Sequence, residues 1–153
     1  VSESTSFGVP AGRRVLIVDD YAVNREILER QMAGLGFDAR TAADAGGAQR
    51  IVADEGFQPD AMLIDFQLPD RNGLQLLDSL RRHAGAARAP AVLLSSLAMD
   101  VDPVELQALQ PVAVLAKPVR RSVLEQTLDA LLSGKAVGGA VDARKAGEAN
   151  APA

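Results

Sequence analysis

The chain predicts an α/β fold, a parallel sheet of five strands with helices on both faces. Three observations carry this expectation. Short apolar runs alternate with amphipathic stretches between residues 13 and 133. The runs are continuously apolar, the pattern of strands buried on both faces. Five such strand–helix units fit into about 120 residues, the size of one domain.

Taken in order, residues 15–18 form the first apolar run. Residues 24–35 read as a helix with Ile27, Leu28, Met32 and Leu35 on one face, closed by Gly36. Residues 37–41 read as a weaker strand. Asp44 can cap a second helix carrying Ala48, Ile51 and Val52. Its Gly46 and Gly47 each cost about 1 kcal/mol against Ala, so this helix is expected to be weak and flexible. No Gly-rich phosphate-loop pattern surrounds that pair. Residues 61–64 are the third strand, and residues 73–82 a helix with Leu74, Leu77 and Leu80 inward. Residues 91–94 are the fourth strand. Asp102, Pro103 and Glu105 supply an N-cap, a first-position Pro and a third-position Glu, with Val101 and Leu106 as a staple. Pro111 ends that short helix, and residues 112–115 are the last strand. Ser122 and Glu125 read as a capping box for a final helix with Leu124, Leu128 and Leu131 inward, stopped by Gly134. This order fits a flavodoxin-like (βα)5 doubly wound sheet with strand order 2-1-3-4-5 better than a barrel.

The flanks differ in character. Residues 1–12 are rich in Ser, Gly and Pro and read as a flexible lead-in, and 134–153 read as a flexible Gly/Ala-rich tail. Of the 153 residues, 48% are hydrophobic and 24% charged, enough for a core and for solubility. Only 3% are aromatic, so the core must be aliphatic. The net charge of −4 argues against a nucleic-acid or membrane surface as the main partner. The absence of cysteine excludes disulfides and thiolate metal sites. No apolar run approaches the roughly 20 residues of a membrane span, and the N-terminal stretch lacks the order of a secretory leader. The expectation is a soluble cytoplasmic protein.

In such sheets ligands bind at the carboxyl ends of the strands. The first strand delivers Asp19 and Asp20 there, the third Asp65, the fourth Ser95 and Ser96, and the fifth Lys117. Each alone has an ordinary reading as a helix cap, a turn residue or a solvated charge. Together they put three carboxylates, a hydroxyl and an ammonium on one edge. Two carboxylates ~4 Å apart repel by about 4 kcal/mol at an effective dielectric near 20. A hard divalent cation offsets that repulsion, and Mg²⁺ takes such oxygen ligands. With no Cys and a single His, zinc is implausible.

These residues resemble the receiver domain of two-component response regulators. The likeness covers about residues 13–133 and rests on "LIVDDY", "LIDFQLPDRNG", "PAVLLSS" and "LAKP", in that order. The resemblance implies that Asp65 takes a phosphoryl group from a phosphohistidine. It implies Mg²⁺ held by Asp20, Asp65 and the backbone carbonyl of Gln67, with Asp19 acting mostly through metal-bound water. Ser95 and Lys117 would each meet a phosphoryl oxygen, and Lys117–Pro118 would be a cis peptide. Pro69 and Gly73 match the turn after the phosphorylation site. The implied partners are a histidine kinase or a histidine phosphotransfer domain. The "DDYAVNREIL" stretch is similar to receivers of hybrid histidine kinases, so the chain reads equally as a single-domain regulator or as part of a longer hybrid kinase. A monomer or a weak dimer through the last helices and strand fits the family. Such a receiver catalyses its own phosphotransfer and slow dephosphorylation without conventional turnover.

Three positions depart from the family pattern. Val114 stands three residues before Lys117 where an aromatic reporter is usual, so output is expected through displacement of the loop after strand 4 and of helix 4. Leu97, two residues after Ser95, is apolar, which implies slow self-hydrolysis. Ser96 stands where a small Ala is common. Tyr21 and Asn24 either contact the phosphodonor or pack beside the acidic edge. Arg120 and Arg121 read as a solvated helix start, with partner contact as the minority reading, and His83 as a solvated helix end. Two competitors stand beside the receiver reading. A haloacid-dehalogenase-type phosphatase sets its second Asp two residues after the nucleophile, whereas here it is adjacent. A phosphorylation-independent pseudo-receiver loses an acidic residue or the Lys, and none is lost here.

Overall fold

The structure, a computed structural model, describes residues 12–83, 86, 88–96 and 102–133. The expected lead-in apart from Gly12, the tail with Gly134, Leu97 and the Val101 half of the staple lie outside the described residues. Five strands, β1 (Arg13–Val18), β2 (Phe37–Ala42), β3 (Ala61–Asp65), β4 (Ala91–Ser95) and β5 (Val112–Ala116), alternate with α1 (Ala22–Gly34), α2 (Ala45–Gln49), α3 (Gly73–Leu80), α4 (Pro103–Ala108) and α5 (Arg121–Leu132). These five strands pair in parallel, in the order β2-β1-β3-β4-β5. Among the described residues no helix is long and apolar enough to cross a membrane.

Period-two alternation divides each strand between two cores. Leu16, Val18, Met62, Ile64, Leu93 and Val114 pack under α2, α3 and α4. Val15, Ile17, Leu63, Val92, Leu94 and Leu115 pack under α1 and α5. The helices are amphipathic at the expected positions, with Leu28 and Met32, Leu74, Leu77 and Leu80, and Leu124, Leu128 and Leu131 buried. Ile27 is the exception. It lies at the edge of the α1 stripe and is 46% exposed.

The helix ends follow local chemistry. Gly36, at φ 97°, turns the chain from α1 into β2. Asp44 caps α2 by accepting from the Gly47 amide at 2.7 Å, and the chain then passes into a π-helical turn, Arg50–Asp54. Asn72 and Gln75 form a reciprocal capping box at α3, at 2.7 and 3.0 Å. Asp102 caps α4 through the Val104 amide. The expected box at Ser122 is not used. α5 starts two residues earlier, with Arg120 at the cap position, and Glu125 pairs instead with Arg121 one turn back, at 2.9 Å.

Arg81, just past α3, spans three segments. Its guanidinium donates to the carbonyls of Leu109 (3.0 Å), Ala86 (3.0 Å), Pro111 (2.8 Å) and Ala89. Burial pulls its pKa down to about 10, so it stays charged at neutral pH.

Candidate functional site

Register assembles the acidic edge. Val18 lies opposite Ile64, so Asp19 and Asp65 follow on neighbouring strands at one level. Asp65 lies opposite Leu94, and Ser95 opposite Ala116, which brings Ser95 and Lys117 one step further along β4 and β5. Backbone ladders continue past the strand ends, from Phe66 N to Leu94 O at 2.8 Å and from Lys117 N to Ser95 O at 2.9 Å. The alternation that sends Ile17, Leu63 and Leu115 to the α1/α5 core gives Asp19, Asp65 and Lys117 the same parity.

The charges meet there. Carboxylate oxygens of Asp19, Asp20 and Asp65 all lie within 4.8 Å of one another. Lys117 Nζ is 3.1 Å from Asp65 Oδ1 and 3.8 Å from Asp19 Oδ2. Asp19 and Asp65 are buried, Asp20 is exposed, and the Lys117 side chain is 25% exposed. Three ionised carboxylates against one ammonium leave the cluster two negative charges in excess, the charge that one divalent cation cancels. Its donors are all hard oxygens, which suits Mg²⁺ chemistry. Burial pushes the Asp65 carboxyl above its ordinary pKa of 3.8 and Asp19 adds to that. The Lys117 hydrogen bond and charge, and the Gln67 backbone, pull the other way without cancelling it. A bound cation reverses this balance in favour of the carboxylate.

The surroundings fix the parts. Asp19 Oδ1 accepts from the Tyr21 amide at 2.9 Å, and Asn24 Nδ2 reaches Oδ2 at 3.5 Å. Arg25 Nη1 holds the Asp19 carbonyl at 2.8 Å. Asp20 is not the helix cap, because Tyr21 takes that place without a side-chain bond. Gly73 approaches the β3 end closely. Its amide donates to Phe66 O at 2.6 Å, and a Cβ there would sit 2.5 Å from the Asp65 carbonyl. Lys117–Pro118 is cis, as expected. Ser95 is buried at the end of β4, whereas Ser96 is exposed on a cleft of about 520 Å³ with Asp19, Asn24, Ile27, Gln31 and Lys117. Tyr21, Val23 and Ile27 expose 58%, 49% and 46% of their surface beside this edge. Arg120 and Arg121 stand at the exposed start of α5, and His83 is half-buried in the turn after α3.

Sequence reasoning missed Arg25, Asp70 and Arg81. Arg25 carried a signal, since it stands one turn beyond Tyr21 at the start of α1. Asp70 and Arg81 carried none, because their partners lie in distant segments.

Comparison with known proteins places this arrangement. The family model described as the response regulator receiver domain matches residues 15–129. The Regulator of RpoS of Escherichia coli strain K12 is 33% identical over 109 residues, covering 71% of this chain and 31% of that protein. The sensory/regulatory protein RpfC of Xanthomonas campestris pv. campestris strain 8004 is 33% identical over 120 residues, covering 75% and 16%. The chain thus spans less than a third of the length of either relative. Among solved structures, the receiver domain of the sensor histidine kinase PA1611 of Pseudomonas aeruginosa PAO1 superposes with a TM-score of 0.68 at 30% identity. It covers 80% of this chain and 99% of that one, and its structure has magnesium coordinated in the active-site cleft. A CheY-like response regulator receiver domain from Methylobacillus flagellatus gives a TM-score of 0.69 at 29% identity, covering 79% and 99%. Fold, strand-end chemistry and relatives agree, and the chain belongs to the response regulator receiver domains of two-component systems.

Proposed function

We propose that this chain is a phosphoacceptor switch in a two-component phosphorelay, with Asp65 as the acceptor. The observation that carries the reading is the Lys117 ammonium 3.1 Å from Asp65 Oδ1, inside a cluster of three carboxylates. Phosphoryl transfer needs positioning and charge neutralisation more than covalent assistance. An Asp65 oxygen attacks phosphorus in line, the P–N bond of the donor phosphohistidine breaks, and the imidazole leaves with the bonding pair and takes up a proton. Lys117 turns from the carboxylate to a phosphoryl oxygen, and the Ser95 hydroxyl donates to another. Asp19, Asp20, Asp65 and the Gln67 backbone carbonyl are the residues that hold Mg²⁺, which supplies further neutralisation of the phosphoryl oxygens when bound. Self-hydrolysis of the aspartyl phosphate is slow, and the protein has no conventional turnover.

The donor is a histidine kinase or a histidine phosphotransfer domain. The exposed Tyr21, Val23 and Ile27 offer it an apolar landing beside the acidic edge. The added charge at the end of β3 then biases the loop after β4 and α4 toward a second arrangement, which changes partner binding.

Intact mass tests the reading. The chain and Asp65→Asn are incubated with Mg²⁺ and acetyl phosphate, and in parallel with a purified phosphohistidine donor. One added phosphoryl group on wild type alone, dependent on Mg²⁺, is the expected result. No adduct from either donor refutes it and leaves a phosphorylation-independent scaffold. Steady hydrolysis of a generic phosphate ester would move the protein to the phosphatases.

A further inference from the structure

The loop joining β3 to α3 carries Gln67, and it is tied down at its base and at its tip. At the base the Gly73 amide donates to Phe66 O at 2.6 Å, and Gln67 and Asn72 form an isolated antiparallel bridge. At the tip Asp70 reaches a different helix. Its Oδ1 accepts from the Ala45 amide at 3.0 Å and its Oδ2 from the Gly46 amide at 2.9 Å. These bonds hold the Asp70 carboxyl below the usual carboxylate range.

The arrangement exceeds ordinary capping. A helix start leaves its first amides without partners, and one N-cap side chain satisfies one or two of them. Here the side chain of Asp44, the N-cap residue, takes the Gly47 amide, and the two amides before it go to a carboxylate from another loop. A bidentate tie of this kind fixes direction as well as distance, because both oxygens are engaged. Asp70 stands three residues after Gln67 and two before Asn72, so the tie acts on the segment that aims the Gln67 carbonyl. Its neighbour Arg71 turns the other way, donating to Ser79 Oγ at 3.4 Å.

We infer that Asp70 is a positioning residue for the metal: by bonding the loop tip to the start of α2, it holds the Gln67 carbonyl toward the acidic edge. This rests on the reading of Gln67 as a metal ligand given above. It makes the Ala45 and Gly46 amides part of the ion's support, while the Gly47 amide that Asp44 caps stands outside it. The coupling must run both ways, so ion binding tightens the tie just as the tie tightens ion binding.

The test measures Mg²⁺ affinity, not phosphorylation. Mg²⁺ alone is titrated into the full chain and amide shifts are followed by NMR, for wild type, Asp70→Ala, Asp70→Asn and Asp44→Ala. Asp44→Ala removes one carboxylate and one cap from the same helix start but leaves the loop tie intact. Asp70→Ala is expected to weaken Mg²⁺ about tenfold, the lower end for residues that orient metal ligands. Asp70→Asn keeps one carbonyl oxygen and falls between it and wild type, and Asp44→Ala changes the affinity less than about twofold, since its cap lies outside the ligand support. In wild type, saturating Mg²⁺ slows hydrogen exchange at the Ala45 and Gly46 amides. Equal affinities for wild type and Asp70→Ala overturn the inference. Equal losses in Asp44→Ala and Asp70→Ala overturn it too, because they trace the effect to α2 stability or to charge. A wild type that does not bind Mg²⁺ at all removes the reading of the site itself, an outcome distinct from the other two.

Discussion

Replacing Arg81 with Met keeps the aliphatic stem and deletes the guanidinium. Four carbonyls, those of Ala86, Ala89, Leu109 and Pro111, lose a donor together, and of these Pro111 O keeps the Ala91 amide at 3.1 Å. A hydrogen bond to a charged group is worth about 1.5–3 kcal/mol net, so the other three would sum to about 4.5–9 kcal/mol if each stayed orphaned. They will not, because the vacated space is polar and near the surface, and water can serve some of them. The expectation is therefore about 3–5 kcal/mol, the range for breaking a buried charged contact. That is a large share of the 5–15 kcal/mol typical of a domain. Urea unfolding followed by circular dichroism reads it. With a slope of about 2 kcal/mol/M the midpoint should fall by about 2 M. Arg81→Lys should recover only part of the loss, since an ammonium cannot bridge three segments with a planar fork. A midpoint shift below about 0.5 M for Arg81→Met would refute the account, because it would mean the carbonyls are satisfied without the guanidinium.

Two further outcomes follow from the site. In Gly73→Ala the new methyl meets the Asp65 carbonyl at 2.5 Å and both Ile64 Cγ2 and Phe66 Cα at 3.0 Å. Overpacking together with the displaced Gly73–Phe66 hydrogen bond should cost about 2–4 kcal/mol in urea unfolding and lower phosphoryl uptake, and an unchanged midpoint would sink the argument. Because the folded-state pKa of Asp65 is raised, its stabilising contribution is complete below pH 3.8 and is lost as pH rises through the raised value. Metal-free Asp65→Asn should thus melt above wild type at pH 7, with the advantage disappearing in acid. Saturating Mg²⁺ should reverse the order by stabilising wild type alone. A lower melting temperature for metal-free Asp65→Asn at pH 7 would contradict the assigned sign.

The sheet was legible because continuous apolar runs have few alternatives once they alternate with helical periodicity. Runs of four in a row at Val15–Val18 and Ala61–Ile64 state two buried faces, and the strand ends then name the charged edge. Helix ends were less legible. The S-x-x-E pattern at Ser122 competes with an Arg121–Glu125 pair one residue out of phase, and the sequence does not rank the two. The Asn72–Gln75 box was readable in principle but was masked by the loop motif around it. Ile27 shows the limit of periodicity, which gives a stripe but not its width. The π-helical turn over Arg50–Asp54 has no pattern at all. Long-range polar ties such as those of Arg81 and Asp70 depend on which loops the finished fold brings together, and no local signal encodes that.

The position of β1 has a consequence for synthesis. It sits between β2 and β3, so its second edge stays open until β3 has been made. Asp19 leaves the ribosome roughly a hundred residues ahead of its counter-charge Lys117, which follows the last strand. At typical elongation rates the interval is about 5–20 s. Through that interval a nascent chain holds its acidic residues uncompensated beside an unfinished strand edge, and mutual repulsion opposes early closure of the sheet. The same charges that equip the mature strand ends to gather a cation therefore also delay completion of the fold, and docking of β5 relieves them only at the end.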